Sequence, residues 1–408
     1  MAEIVTTSSL LPQPARRNDG RVDHRHIVFL IFPRFQVLDL TGPHEVFAQA
    51  ERLGPGYRLE TVAPLPGPVT ASGGLTVTPN LGIDECVGPI DTLVVVGGAG
   101  RGEACADRRL IDWLRAVAGR ARRVAGVCSV AFLLAEAGLL DGRQSRRPGS
   151  RPPGACWKPP TPRSERSPGA ADSAPSRRCT AASDAWSGSP PASIANTSAE
   201  LRLRGPAMRI VIPLFEGFTA LDAVGPYDVL KLLPGAEVVF AATSTGPIRN
   251  NVGSLALTAD AALHDIDSCD VLVVPGGPGV DAHLAGGALL DWIRRIHEGT
   301  RWTTSVCTGS LLLGAAGLLR GRTATTHWRR AERLAAFGAT YSAQRVVDDG
   351  KLLTGAGVSA GIDMALTLAA RLTDRATAEA IQLAIEYDPQ PPFDAGSPAK
   401  AARARNGG

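Results

Sequence analysis

The sequence predicts an α/β fold, a parallel sheet with helices on both faces, present as one complete copy and one truncated copy. Three observations carry that expectation. Short β-branched runs, IVFLIF (27–32), LVVVGG (93–98), IVIPLF (210–215) and VLVVPGG (271–277), read as strands buried on both faces. Between them, stretches such as Ala288–Glu298 and Ser310–Leu319 carry apolar residues at helical spacing, and alternation of the two implies a parallel sheet. The same text then occurs twice in the same order.

The repeat is legible residue by residue. IVFLIFPRFQVLDLTGPHEVF (27–47) matches IVIPLFEGFTALDAVGPYDVL (210–230), DTLVVVGGAG (91–100) matches DVLVVPGGPG (270–279), and VCSVAFLLAEAGLLDGR (127–143) matches VCTGSLLLGAAGLLRGR (306–322). The second copy continues through ATTHW (324–328), VVDDGKLLTGAG (346–357) and VSAGIDMALTLAARL (358–372). The first copy instead becomes aperiodic after Arg143. Ser187–Ala195 (SGSPPASIA), read one nucleotide earlier with suitable codons, yields GVSAGID, the text of 357–363, so 144–207 reads as a frameshift remnant. The expected organisation is a disordered tail (1–25), an incomplete domain (26–143), a disordered Pro/Arg-rich linker (144–207), a complete domain (208–388) and a C-terminal tail (389–408).

Composition narrows the function classes. The 408 residues fit about two domains, and 44% hydrophobic with 20% charged residues is the balance of a globular protein with a sizeable core. No run approaches the roughly 18 apolar residues of a membrane span, and the start has no apolar signal region. Seven Cys without a C-x-x-C pair argue for reduced thiols and a cytoplasmic location rather than a disulfide or zinc scaffold. Segment 144–207 holds ten Lys/Arg against four acids and eleven of the 31 Pro. Those charges follow no helical face and have no aromatic interleaving, so nucleic acid is not an expected partner.

The chemistry concentrates in the second copy. Val306-Cys307-Thr308-Gly309-Ser310 closes a strand and opens a helix, where a nucleophile stands exposed on a strained turn. The helix N-terminus is expected to favour thiolate, the reactive form; the bland reading is a buried, inert Cys. Gly276 and Gly277 end the neighbouring strand, where the N–H groups of Gly277 and Thr308 form an oxyanion-type pocket or merely a tight turn. Asp222 follows the first strand of the copy and serves either as a general acid or as a helix cap. His327 is a proton shuttle or a cap. No metal-ligand spacing and no dinucleotide fingerprint occur, so no metal or cofactor is expected.

Together L-D-x-x-G-P, P-G-G, V-C-T-G-S and A-T-T-H-W resemble the ThiJ/PfpI superfamily, a relative of class I glutamine amidotransferases, over about 208–398. The resemblance implies a flavodoxin-like sheet. It implies a nucleophile at Cys307, an acid at Asp222 and an adjacent hydroxyl at Thr308. GAAGLLRGRTATTHW and QLAIEYDPQPPFDAGSP are most similar to the isonitrile hydratase branch, implying a hydro-lyase that converts R–N≡C to a formamide without a cofactor. Thr308 stands where protease-like members carry His, which disfavours peptidase and glutaminase activity. The first copy resembles the sensing domain of GlxA-type AraC-family regulators, with Asp39, Gly97, Gly98, Cys128 and Ser129 matching. It departs from them in its missing second half, in Val96 where the second copy has Pro275, and in the lack of a following helix-turn-helix. It is expected to be inactive. The alternatives are a regulator without its DNA-binding domain and a non-catalytic ligand-binding or stress protein. The superfamily implies a homodimer through the second domain and a small-molecule substrate.

The Pro and charge content of 144–207 leaves too little apolar surface to offset ordering entropy. Limited proteolysis should therefore cut there first and release a resistant fragment beginning near Met208, read by mass spectrometry; uniform protection of the segment would contradict this.

Overall fold

A computed structural model describes residues 3–4, 24–54, 56–140 and 207–406; most of the expected tail 1–25 and of the linker 144–207 lies outside the described residues. The first copy runs β1 (Glu3–Ile4), β2 (Arg25–Leu30), α1 (Val37–Leu53), β3 (Tyr57–Ala63), β4 (Val69–Thr70), β5 (Thr76–Thr78), β6 (Leu81–Gly82), β7 (Thr92–Val95), α2 (Arg101–Ala106), α3 (Arg108–Arg120), β8 (Arg123–Gly126) and α4 (Ala131–Glu136). The second begins with β9 (Met208–Pro213), α5 (Ala220–Leu230), β10 (Ala236–Ala242), β11 (Gly246–Arg249), β12 (Ala256–Ala259), β13 (Ala261–Ala262) and β14 (Val271–Val274). It continues with α6 (Ala288–Gly299), β15 (Trp302–Val306), α7 (Gly309–Ala315), β16 (Thr323–Ala324), β17 (Thr340–Tyr341), β18 (Val346–Asp349), β19 (Leu352–Gly355), α8 (Ala360–Leu372), α9 (Arg375–Ala384) and α10 (Pro398–Asn406).

Each copy builds its own parallel sheet. The orders are β1-β8-β7-β2-β3-β6 and β13-β10-β9-β14-β15-β19-β18, with β18 the one antiparallel member of the second. The β-branched runs behave as their composition requires: every residue of β14 is buried, because helices cover both faces of the sheet. In α3, Leu110, Ile111, Leu114 and Val117 form the buried stripe, and Asp107 caps the helix by accepting from Leu110 N at 3.2 Å. β1 stands beside β8 where β19 stands beside β15.

The copies also pack on each other through matching elements. α1 lies against α5, and α5 is buried along its whole length. β5 of the first copy pairs antiparallel with β12 of the second, Thr78 opposite Ala256 and Val77 opposite Leu257, giving a shared sheet β11-β12-β5-β4. Tyr227 donates to Gly73 O at 2.6 Å and accepts from Leu75 N at 3.2 Å. Gln36 Nε2 donates to Asp228 Oδ2 at 3.2 Å, and His44 Nε2 meets Ser254 Oγ at 2.5 Å. Such isologous pairing, like element on like, is the geometry of a twofold dimer made within one chain. With the α5 face taken by the first copy, a homodimer of this chain would have to use another surface.

His44 is fully buried in this contact, and burial pushes its pKa down from 6.5 to about 3. Above pH 6.5 the ring is neutral folded or unfolded; between 6.5 and 3 only the unfolded chain takes up the proton, so this residue makes stability fall as pH falls. From pH 7 to 5 the loss attributable to His44 is about 2 kcal/mol. Urea titrations at both pH values should show that loss shrink by about this amount in His44→Gln; an unchanged difference would mean that the ring is not held neutral.

Candidate functional site

The strained elbow expected at Cys307 is present, but its side chain is buried rather than exposed. Cys307 follows β15 with φ at 56°, a left-handed conformation that costs a non-glycine residue about 1–3 kcal/mol and persists only where its surroundings impose it. Those surroundings are visible. Its N–H donates to Gly355 O and Ala356 O, each at 3.0 Å, while its carbonyl accepts from Ser310 Oγ at 3.2 Å and Thr326 Oγ1 at 3.0 Å. The backbone N–H groups of Thr308 and Val358 are directed at the sulfur.

Asp222, in the first turn of α5, is fully buried and hydrogen-bonded to the Cys307 thiol. Its Oδ2 accepts from Gly276 N at 3.1 Å; its Oδ1 has no N–H or O–H donor. A Cβ on Gly276 would stand 2.5 Å from Thr308 N and 2.9 Å from Asp222 Oδ2, so the turn requires glycine for close approach. Thr308 Oγ1 donates to Gly277 O at 3.1 Å and accepts from Gly277 N at 2.9 Å. The Gly277 N–H is thus engaged by the Thr308 hydroxyl rather than open to a developing anion. Cys307, Asp222, Thr308, Gly276 and Gly277 therefore converge on one rim of the sheet, beyond the carboxyl ends of its strands, where such sheets bind ligands.

The electrostatics correct one expectation. The helix N-terminus was expected to favour thiolate, but Cys307 is buried and faces a carboxyl group, and both push its pKa well above 9. Desolvation and the nearby Glu45 likewise push Asp222 well above the ordinary carboxylate range. Both shifts favour the protonated forms, a thiol against a carboxyl group. His327 fills its capping alternative, Nδ1 accepting from Arg329 N at 3.3 Å. Its other edge lines the cleft beside Cys307, where desolvation first and then Arg329, Arg52 and Arg330 hold its pKa low.

The first copy repeats the elbow. Cys128 has φ 60°, Asp39 Oδ2 accepts from Gly97 N at 3.2 Å, and Ser129 Oγ accepts from Gly98 N at 3.3 Å. Here Cys128 is exposed, because among the described residues this copy has no counterpart of the Thr326–His327 and Val358 segments that cover Cys307. The acids are coupled across the interface. Glu45 in α1 raises Asp222, and Asp228, at the matching position in α5, raises Asp39.

Sequence reading missed the contribution of the first copy. The cleft above Cys307, of about 70 Å³, is lined by Gln49 and Arg52 from α1 together with Thr308, His327, Arg329 and Arg330. Larger cavities of about 450 and 430 Å³ lie elsewhere and contain neither the elbow nor its acid. Nothing in the repeat itself tells which faces of two copies meet; the only available signal was the near-complete apolar character of LDAVGPYDVL, too hydrophobic all round for a surface helix.

Comparison with known proteins agrees with the duplication. The profile of the DJ-1/PfpI family matches residues 25–145 and 208–371. Isonitrile hydratase from Pseudomonas putida is 46% identical over 198 residues, 48% of this chain and 86% of that protein. The HTH-type transcriptional regulator CdhR from Pseudomonas aeruginosa is 33% identical over 150 residues, covering 36% of this chain and 41% of that protein, and matches the first region. A crystal structure of a ThiJ/PfpI family protein from Pseudomonas syringae is 39% identical with a TM-score of 0.47, covering 49% of this chain and 85% of that one.

A thiol whose pKa is raised by burial holds less thiolate near neutral pH than a free cysteine. Iodoacetamide should therefore label Cys307 more slowly than a free cysteine in the same buffer, by quantitative peptide mapping. Rapid labelling at neutral pH would show that the sulfur is ionised.

Proposed function

We propose, from the premise that this chain belongs to the DJ-1/PfpI family, that its second copy hydrates an isonitrile to an N-substituted formamide, with Cys307 as nucleophile and Asp222 as acid. The observation that carries this reading is the buried pair, the Asp222 carboxyl group hydrogen-bonded to the Cys307 thiol, with burial favouring the protonated form of each. An isonitrile carbon bears a lone pair and must gain a proton as well as a nucleophile. A carboxyl group whose burial favours its protonated form suits the first need, and an adjacent soft sulfur suits the second. The similarity to isonitrile hydratase supports the same reading.

The steps balance as follows. Asp222 gives its proton to the isonitrile carbon while Cys307 sulfur bonds to that carbon, and the thiol proton passes to the Asp222 carboxylate. The product is a thioimidate, R–N=CH–S–Cys307, with Asp222 again protonated. Water adds to the thioimidate carbon and the nitrogen takes a proton. The tetrahedral species R–NH–CH(OH)–S then expels sulfur, which recovers its proton from the hydroxyl, leaving R–NH–CHO. Thr308 holds the Gly276–Gly277 turn against the elbow through its two hydrogen bonds and so positions the reacting groups. The similarity of the first region to transcription regulators favours one second reading, a ligand-sensing role for the first copy.

Incubation with a simple alkyl isonitrile should yield the formamide, followed by NMR. Cys307→Ala should abolish turnover, while Cys128→Ala should leave most of it. Asp222→Asn should lower kcat by roughly 10²-fold or more, the usual effect of removing a general acid, with little change in Tm. Formamide production at the wild-type rate by Cys307→Ala would sink the nucleophile assignment, and an active Asp222→Asn would remove the acid.

A further inference from the structure

The two copies differ where α1 overhangs the Cys307 cleft. From Ile27 to its partner Leu59 the first copy spans 32 residues, whereas from Ile210 to its partner Val238 the second spans 28. The four extra residues amount to about one helical turn. They are taken up in α1, which runs to Leu53, while α5 ends at Leu230, the counterpart of Phe47. The added length carries Gln49 and Arg52, and both line the cleft above Cys307. No such extension of α5 reaches the Cys128 elbow.

The charge at this mouth is one-sided. Arg52, Arg329 and Arg330 line it, and no carboxylate does. Arg330 is compensated, donating to Asp281 Oδ2 at 3.0 Å, and Arg333 shares that partner. Arg329 lies over the Trp328 ring at 5.1 Å, and Arg52 acts electrostatically on Glu45, farther back on α1. Gln49 is tied back by donating to Glu45 Oε1 at 2.5 Å, which leaves Arg52 at the rim. Beneath lie the buried Asp222 carboxyl group and Cys307 thiol, hydrogen-bonded to each other. A narrow cleft lined by guanidinium groups and by no carboxylate concentrates anions, and guanidinium matches a carboxylate through paired N–H donors.

We propose that the site selects isonitriles whose substituent carries a carboxylate, and that Arg52 of the first copy, with Arg329, is the specificity-determining contact. This rests on the hydratase reading and goes beyond it. The first copy is then a working part of the second copy's site rather than a spent duplicate. The isonitrile head enters the cleft towards Cys307, and the carboxylate remains at the mouth between α1 and the segment following His327.

The test compares isocyanoacetate with ethyl isocyanide on the full chain. kcat/KM should favour the carboxylated substrate by roughly 10-fold or more at low salt, the size of one charge-assisted contact, and the preference should fall as ionic strength rises. Arg52→Ala should reduce the preference ratio about 10-fold, and Arg52→Lys should restore part of it. Equal handling of the two substrates, or a preference insensitive to Arg52→Ala, overturns the proposal and leaves the hydratase reading standing. If neither isonitrile is hydrated, that reading fails, and the anion site is read separately by calorimetry with N-formylglycine and N-ethylformamide. Tighter binding of N-formylglycine that weakens in Arg52→Ala supports the site, and equal or absent binding overturns it.

Discussion

Helix α5 has no solvent face. All eleven of its residues are buried, one side against its own sheet and α8, the other against α1 of the first copy. A helix so apolar has to be covered on all sides, since each large side chain left in water would forgo about 1.5–3 kcal/mol of burial. The α1–α5 contact is therefore the interaction on which the site depends. Asp222 rides in the first turn of α5, and covering that helix removes the carboxyl group from water and brings Glu45 close to it. Both effects act in one direction, towards a protonated acid.

The same burial explains why the sulfur is not a thiolate. A helix N-terminus stabilises an anion by 0.3–1 kcal/mol, up to about 2 when partly buried. Here that contribution opposes full desolvation and an adjacent carboxyl group, and the latter two prevail. The outcome is useful for a substrate that needs a proton at the same carbon that takes the nucleophile. A thiolate beside an ionised carboxylate would offer no such proton. The strained φ of Cys307 and the glycine at Gly276 are the geometric side of the same requirement, because they bring sulfur, carboxyl group and the Thr308 hydroxyl within reach of each other.

Much of this was legible in the sequence, for identifiable reasons. The β-branched runs gave buried parallel strands because composition alone demands two covered faces, and V-C-T-G-S gave the elbow because Gly309 lies where a Cβ would meet Val274 O at 2.2 Å. The protonation state of Cys307 was not legible. A local motif reports the helix dipole, whereas desolvation is set by Val358, Thr326 and the partner copy, all distant in sequence. Arg52 was invisible for the same reason. The repeat established that there were two copies, but their mutual placement follows from surfaces that no periodicity encodes.

Duplication within one chain removes a constraint that a symmetric dimer obeys. When two identical subunits pair, each supplies the other with the same residues, so a change that improves one mouth alters both. In this chain the reciprocal acids, Glu45 and Asp228, still show the symmetric plan, each acting on the other copy's elbow acid. Beyond Phe47 the symmetry stops, and α1 continues towards the cleft above Cys307. Cys128 is open to water, and among the described residues its copy lacks the covering segments. Its copy keeps the elbow geometry because those residues also hold β7, β8 and α1 in the arrangement that presents α1 to α5. On this view the first copy is retained for what its helix does at Cys307, and its own cysteine is held in place by the fold that this helix needs.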